Sequence, residues 1–207
     1  MKLPFRWEQG QHVAVIGNTG SGKTTLCAQL LRARNHVLSV RTKADRHETL
    51  PGKSLTTATQ FYRASTVTQH KFILFPDPPR GNQALQIRRA SDVVWREGGW
   101  CIYYDELFFI TERLRMADEI DTLLTQGRSR GISVVCGMQR PVRTTRFAIS
   151  QATHIISFRC ERRDIRTSLR EINEEFALAV ASLTGHQFAW LQQESGKIWI
   201  GDVNDLR

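Results

Sequence analysis

The chain has 207 residues, of which 41% are hydrophobic and 24% are charged, a composition typical of a soluble globular protein with a sizeable core. No apolar run approaches the roughly 18 residues of a membrane-spanning helix, and Met1–Glu8 lacks the apolar segment of a secretory signal. We therefore expect a single cytoplasmic domain of 1–207, and the net charge of +9 indicates an anionic partner such as nucleic acid.

A strand predicted at 12–16 leads into a segment that fits the phosphate-binding pattern G-x-x-x-x-G-K-[ST]. Its glycines let backbone N–H groups approach a polyphosphate, and the helix predicted at 23–34 directs its positive end at the same anion. In this pattern Lys23 reaches the β- and γ-phosphates and Thr24 binds Mg²⁺. We therefore expect ATP and Mg²⁺ to bind here. The candidate nucleotide-binding residues are Gly17, Asn18, Thr19, Gly20, Ser21, Gly22, Lys23, Thr24 and Thr25.

Between residues 37 and 96, some segments show the hydrophobic periodicity of a strand or helix and others do not. A second strand is predicted at Val37–Val40. From 41 to 70 the periodicity is poor, and we predict no regular element there beyond some order around Phe61-Tyr62. Phe72–Phe75 has the length of a strand and ends at a proline-rich turn. Residues 82–96 have helical spacing, and a glycine pair ends that helix.

Two adjacent carboxylates, Asp105 and Glu106, form the C-terminal end of the strand predicted at Trp100–Glu106. In open α/β sheets ligands bind at the carboxyl ends of strands, so Asp105 is a candidate for holding Mg²⁺ and its waters. Glu106, on the other side of the pleat, is a candidate base or orienting group for the water that attacks the γ-phosphate. An acidic pair is also a common start of a helix, but the upstream phosphate-binding loop favours the catalytic interpretation.

The remaining elements continue the alternation of strands and helices. They are predicted as a helix at 114–124, a strand at 132–139, a short helix at 144–152, a strand at 154–158, a charged helix at 161–181, and a hairpin of 186–191 with 197–200. This order, without an internal repeat, predicts an α/β fold: a mostly parallel central sheet flanked by helices, with a C-terminal β-hairpin.

The positive charge is concentrated in one part of the sequence. Ten arginines and no lysine lie between Arg128 and Arg170, with only Glu161 and Asp164 to oppose them. Arginine favours planar, bidentate contacts to phosphate, so this stretch is a candidate for binding a nucleic-acid backbone. A generic basic face would have the same composition.

The four cysteines carry little functional information. Cys27, Cys101, Cys136 and Cys160 are scattered and lack metal-ligand spacing. We expect them to be reduced and to behave as small apolar residues, with no metal site beyond that for Mg²⁺.

Three features occur in a recognisable order: the loop Gly17–Thr24, the strand that ends in Asp105-Glu106, and the segment GRSRGISVVCGMQRP at 127–141. Together they resemble the FtsK–HerA superfamily of ring-forming, DNA-translocating ATPases. The compact size is most similar to the genome-packaging ATPases of membrane-containing and archaeal viruses. The resemblance extends over about residues 12–160 and implies a three-layer P-loop NTPase fold of the RecA/ASCE type.

The same resemblance implies roles for individual residues. Asp105 corresponds to the metal residue and Glu106 to the catalytic carboxylate, while Gln139 is similar to the polar sensor at the end of the strand beside the loop. Arg128 or Arg130 resembles the arginine finger that one subunit extends into its neighbour's site. Contact with DNA phosphates, or with a helix end, is the alternative for these arginines.

The resemblance implies a hexameric or similar homo-oligomeric ring that moves double-stranded DNA without reading its sequence, docked on a capsid or portal partner in the host cytoplasm or virion. Two alternatives stay open. A nucleotide or small-molecule kinase has the same loop but needs neither a glutamate beside Asp105 nor a finger in trans. A nucleotide-dependent assembly, secretion or DNA-transfer factor has the same core, although such proteins usually carry a membrane span.

Overall fold

The computed structural model describes residues 6–42, 50–66, 70–77, 79–140, 145–161, 163 and 165–206. Pro141, which ends the predicted Gln-Arg-Pro segment, lies outside the described residues, as does Pro78 of the predicted turn. None of the helices in the described ranges is both long enough and apolar enough to cross a membrane.

The strands of the described residues form one sheet. They are β1 (His12–Ile16), β2 (Val37–Val40), β3 (Lys53–Leu55), β4 (Lys71–Leu74), β5 (Cys101–Tyr104), β6 (Ser133–Met138), β7 (Ala152–Phe158), β8 (Gln187–Gln192) and β9 (Lys197–Asp202). Their order in the sheet is β3-β4-β2-β5-β6-β1-β7-β8-β9. Strands β1 to β7 pair in parallel, and β8 and β9 extend the sheet as an antiparallel hairpin. The predicted mostly parallel sheet with a C-terminal hairpin is confirmed.

Helices cover both faces of this sheet. They are α1 (Lys23–Arg32), α2 (Ala58–Ser65), α3 (Arg80–Glu97), α4 (Ala117–Gln126), α5 (Phe147–Ser150), α6 (Arg170–Ile172) and α7 (Glu174–Ser182). Short π-helical or 3-10 turns span Phe109–Arg113, Gly127–Arg130, Ile165–Leu169 and Val203–Leu206. Helix α1 packs on one face, where Leu26 and Leu30 join a buried cluster with Tyr103. Helices α3, α4 and α7 contribute to the larger cluster on the other face. The architecture is therefore three layers.

Burial on both faces explains why the central strands were predictable. Strands β1, β2, β5, β6 and β7 are buried along their whole length, and parallel strands covered by helices on both sides are expected to be continuous apolar runs. The cysteines follow the same pattern, since all four are buried and unbridged.

The prediction of one helix over 161–181 is wrong. The chain there forms the π-helical turn Ile165–Leu169 and the short α6, and then breaks at Asn173, whose φ of −165° and ψ of 125° are extended. The Asn173 side chain accepts a hydrogen bond from the Phe176 N–H at 2.8 Å and so caps a new helix, α7. Helix α4 also begins later than predicted, because Arg115 has a φ of 55°.

The segment 41–70 is more regular than predicted, because its described part contains β3 and α2. Helix α2 begins with a capping box: the Gln60 N–H donates to the Thr57 hydroxyl, and the Gln60 side chain accepts from the Thr57 N–H, both at 3.2 Å. Phe61 of this helix is buried against Phe72 and Trp100. The spacing of Thr57 and Gln60 is a sequence signal that the poor periodicity concealed.

Strand β6 lies between β1 and β5, and its register brings the three carboxyl ends to one edge of the sheet, here called the carboxyl edge. Met138 pairs with Ile16 of β1, and Cys136 pairs with Tyr104 of β5. The approach is closest at Gly137, where an added Cβ would lie 2.7 Å from the Asp105 carbonyl oxygen. A glycine at this position therefore allows the carboxyl ends of β5 and β6 to lie side by side.

This close approach gives a stability prediction. Substitution Gly137→Ala should lower the free energy of unfolding by about 1–3 kcal/mol, because the methyl group must displace backbone rather than a flexible side chain. The matched control is Gly81→Ala in α3, where an added Cβ meets nothing within 4 Å. We expect that change to be neutral or to stabilise by up to about 1 kcal/mol. Urea unfolding measures both, and equal effects would contradict the argument.

Candidate nucleotide-binding site

The loop Gly17–Thr24 has the backbone geometry that its glycines predicted. Gly20 and Gly22 adopt left-handed φ values of 80° and 104°. At Gly17 an added Cβ would lie 2.7 Å from Ser21 Oγ and 2.9 Å from Phe158 Cβ. The loop therefore needs glycine for conformation at two positions and for space at a third.

Lys23 and the start of α1 bring positive charge to this loop. The Lys23 ammonium donates to the carbonyl oxygens of Gly17 at 2.6 Å and Asn18 at 2.9 Å, so it lies across the loop. The first N–H groups of a helix have no partner within it, and Gly22, the residue before α1, has no side chain to cap them. A polyphosphate can accept from these N–H groups and neutralise the ammonium.

Residues near the C-terminus pack against the loop, and this contact was not predicted from the sequence. An added Cβ on Gly22 would lie 3.1 Å from Val203 Cγ2 and 3.4 Å from the Phe158 ring. His186 Nδ1 lies 3.2 Å from the Ser21 carbonyl oxygen. The ends of β7 and of the hairpin therefore fix the shape of the loop.

Asp105 comes directly after β5, where two neighbouring side chains contact its carboxylate. The Tyr103 hydroxyl donates to Asp105 Oδ1 at 2.6 Å, and Arg41 Nε, at the end of β2, lies 3.9 Å from Oδ2. The Arg41 and Asp105 side chains are only 7% and 15% exposed. Burial, together with the charge of Asp105, raises the pKa of Tyr103 well above its ordinary value, so this hydroxyl remains a donor. Sequence reasoning missed both partners, counting Tyr103 as an apolar strand residue.

Glu106 is buried at the same edge and contacts the predicted sensor residue. Gln139 Nε2 donates to Glu106 Oε2 at 2.8 Å. Glu106 lies two residues beyond the end of β5 and Gln139 directly follows β6, and these two strands are paired. The structure therefore brings the two predicted residues into direct contact.

Strand pairing places these carboxylates close to the loop. The Gly17 N–H, at the end of β1, donates to the Met138 carbonyl oxygen at 3.1 Å, and Gln139 is the next residue. Carboxylate and hydroxyl oxygens are the ligands that Mg²⁺ prefers, so Asp105 and Thr24 fit that ion chemically. In the described residues no group of three His, Cys, Asp or Glu side chains could hold another metal ion.

Arg128 and Arg130 lie at the opposite edge of the sheet, because they precede β6 rather than follow it. Arg130 Nε donates to the Trp95 carbonyl oxygen at 2.7 Å and Nη2 to that of Arg96 at 3.3 Å, so its guanidinium binds the end of α3. The Arg128 side chain is 58% exposed, and its guanidinium lies 3.6 Å from the carboxylate of Glu194, which is 64% exposed. The structure does not bring either arginine to the loop of its own subunit.

The arginines of the arginine-rich stretch lie in different parts of the structure. Arg140 follows Gln139 and pairs with Glu161, which lies three residues beyond β7, so this pair is at the carboxyl edge. Arg159, just past the same strand, is exposed there. Arg146 lies at the start of α5, 5.1 Å from the ring of Phe147. One continuous basic face is therefore not observed in the described residues.

No protein-family model matches the chain, and a search of the curated proteins found no match. Solved structures do match. The B204 DNA-packaging ATPase of Sulfolobus turreted icosahedral virus has a TM-score of 0.75 and 20% identity, with 95% of this chain and 98% of that chain covered. The genome-packaging NTPase B204 of Sulfolobus turreted icosahedral virus 2, in complex with ATP-γS, has the same TM-score and coverage at 19% identity.

Two larger proteins are more distantly similar. ATPases 2 and 3 of Thermomonospora curvata EccC have a TM-score of 0.61 and 13% identity, with 94% of this chain and 38% of that chain covered. The pCW3 conjugation coupling protein TcpA has a TM-score of 0.61 and 14% identity, with 96% and 64% covered. At these identities the likeness shows the fold, which is that of a P-loop ATPase.

The different contacts of the two arginines give a stability prediction. Arg130→Ala should lower the free energy of unfolding by about 1 kcal/mol, because the carbonyl oxygens at the end of α3 lose a cationic donor. Arg128→Ala, which breaks only an exposed ion pair, should change it by less than about 0.5 kcal/mol. Urea unfolding compares them, and a larger loss for Arg128→Ala would contradict this assignment.

Proposed function

We propose that this chain is an ATP-hydrolysing subunit of a double-stranded DNA translocase that packages a viral genome. The observation that carries the proposal is the contact of Glu106 with Gln139 at the carboxyl edge, beside a complete phosphate-binding loop. The coverage of nearly the whole chain by the two B204 packaging ATPases supports the same function.

The loop and α1 bind the triphosphate of ATP. Backbone N–H groups and Lys23 hold the phosphate oxygens, and Thr24 and Asp105 hold Mg²⁺ or its waters. Mg²⁺, when bound, neutralises charge on the phosphate oxygens. The remaining loop residues set the spacing of these groups and keep other side chains out of the phosphate cradle.

Glu106 and Gln139 act on the attacking water. The water oxygen forms a bond to the γ-phosphorus, the bond from that phosphorus to the ADP oxygen breaks, and the water proton passes to the Glu106 carboxylate. Gln139 holds that carboxylate through its amide N–H and so fixes its direction. A positioned base of this kind contributes about 10²–10⁴ in rate.

The arginine finger must come from a second subunit, and we assign it to Arg128. Arg130 binds the end of α3, whereas Arg128 is exposed at the edge of the sheet opposite the loop. A homo-oligomeric ring, with six subunits as the expected number, places the Arg128 edge of one subunit against the carboxyl edge of the next. Such a finger is worth about 10³–10⁵ in rate.

DNA contacts follow from the remaining arginines, which bind phosphates without reading bases. The exposed Arg159 and the Arg140–Glu161 pair lie at the same edge as the ATP site, so hydrolysis can move them. Location on the genome comes from docking on a capsid or portal partner, in the host cytoplasm or the virion.

The catalytic role of Glu106 is tested by an isosteric change. Glu106→Gln should lower ATP turnover by about 10²–10⁴ and leave ATP binding intact, because the amide keeps the volume but cannot take a proton. The matched control is Glu119→Gln in α4, whose exposed ion pair with Arg88 is remote from the loop and should leave turnover unchanged. Full turnover and DNA movement with Glu106→Gln would overturn the role.

The finger is tested by mixing two inactive variants. Arg128→Ala alone should lower turnover about 10³-fold or more, and Glu106→Gln alone about 10²–10⁴-fold. In mixed rings a Glu106→Gln subunit supplies its intact Arg128 to an Arg128→Ala neighbour with an intact Glu106, so mixing should restore part of the activity. Arg130→Ala serves as the control and should remain active on its own. Mixing that restores nothing, with rings formed, would contradict a finger in trans.

A secretion or DNA-transfer ATPase is the second candidate, favoured by the likeness to EccC and TcpA. Steady-state ATP hydrolysis against protein concentration, with and without long double-stranded DNA at low salt, separates the functions. A packaging motor should show a cooperative rise with concentration and stimulation by DNA. Cooperativity without DNA stimulation would favour secretion, and a rate strictly proportional to protein would favour a small-molecule kinase.

A further inference from the structure

Two adjacent tyrosines at the end of β5 are both fully buried, but their hydroxyl groups have different surroundings. The Tyr103 hydroxyl donates to Asp105 Oδ1 at 2.6 Å. The Tyr104 hydroxyl, on the opposite face of the sheet, lies 3.2 Å from the Ser91 hydroxyl of α3. Only the first hydroxyl contacts a residue of the nucleotide site.

The contact between Tyr103 and Asp105 is well suited to fix a carboxylate. Side chains two residues apart on a strand point to the same face, so the tyrosine ring lies beneath the acid. The ring is packed on all sides, in the buried cluster that includes α1, and has little freedom to move. A short hydrogen bond from a fixed hydroxyl to an ionised carboxylate is among the stronger neutral-to-charged contacts.

Other neighbours add to this restraint. Arg41 Nε lies 3.9 Å from Asp105 Oδ2, on the other oxygen of the carboxylate. The backbone of Asp105 is fixed as well, because its N–H donates to the Val40 carbonyl oxygen at 3.2 Å. Cys27 of α1, the helix that begins at the loop, is buried in the same cluster as Tyr103. Both carboxylate oxygens of Asp105 and its backbone N–H therefore have neighbours that restrain them.

We propose that Tyr103 is a positioning residue that holds the Asp105 carboxylate in the orientation needed for Mg²⁺, and so sets the Mg²⁺ dependence of nucleotide binding. The inference rests on the proposed function, in which Asp105 holds Mg²⁺ or its waters. Tyr103 itself touches neither the metal nor the nucleotide. Groups of this kind, which orient a metal residue by hydrogen bonding, typically change metal affinity 10–100-fold when they are lost.

The test compares Tyr103→Phe with Tyr104→Phe in the full chain. Each change removes one buried hydroxyl oxygen from neighbouring residues of the same strand, so general effects on packing are matched. Calorimetry measures binding of a non-hydrolysable ATP analogue over a Mg²⁺ titration and in EDTA, and thermal unfolding confirms that both variants fold. Tyr103→Phe should raise the half-saturating Mg²⁺ concentration about tenfold and leave binding in EDTA unchanged. Tyr104→Phe should leave both unchanged.

Asp105→Asn separates failure of this inference from failure of the proposed function. If Asp105→Asn raises the Mg²⁺ requirement and Tyr103→Phe does not, the positioning role is overturned alone. If Asp105→Asn also has no effect, the metal role given to Asp105 fails, and the inference fails with it.

A double variant tests whether Tyr103 acts through Asp105. The shift caused by Tyr103→Phe should vanish in the Asp105→Asn background, since the hydroxyl then has no carboxylate to orient. An additive shift, or an equal loss of affinity in EDTA, would place the effect on the loop through α1 and overturn the inference.

Discussion

The pairing of β6 between β1 and β5 is the constraint on which the site depends. Parallel register fixes where each strand ends, and with β6 in this position the loop, Gln139 and the two carboxylates leave neighbouring strands at one edge. A slip of one residue would turn each side chain to the other face of the sheet. Gly137 is part of this constraint, because the Asp105 carbonyl oxygen occupies the place where its Cβ would be.

The sequence predicted those parts of the molecule whose signals are local. Strands buried on both faces are apolar runs, and the glycines of the loop are required by its own backbone, so both were correctly placed. Helix α2 was missed although Thr57 and Gln60 form a capping box, since a short amphipathic helix gives too few repeats to reveal its period. The break at Asn173 was missed because a capping side chain can also occur within a charged helix.

The contacts that refine the site could not be predicted, because they join residues that are distant in sequence. Arg41 reaches Asp105 only because β2 and β5 are neighbours in the sheet, and Val203 reaches the loop only because the hairpin returns to it. The roles of Arg128 and Arg130 were equally open, since neither spacing nor composition distinguishes a guanidinium that caps α3 from one that is exposed. Strand β6 separates both from the loop by about 20 Å, at about 3.3 Å per residue, which exceeds the length of an arginine side chain.

The acidic pair after β5 illustrates how one strand end can serve two tasks. Asp105 and Glu106 both lie beyond the last residue of β5, and although they are adjacent they contact different side chains. The Tyr103 hydroxyl donates to one oxygen of Asp105 and the Arg41 guanidinium lies near the other, which suits a carboxylate held in place to face a cation. Glu106 accepts a hydrogen bond from the Gln139 amide, which can fix the direction of its carboxylate. Paired carboxyl groups in enzymes acquire separate roles through such differences in environment. The different side chains that contact them, more than the identity of either acid, therefore separate the two roles proposed for them.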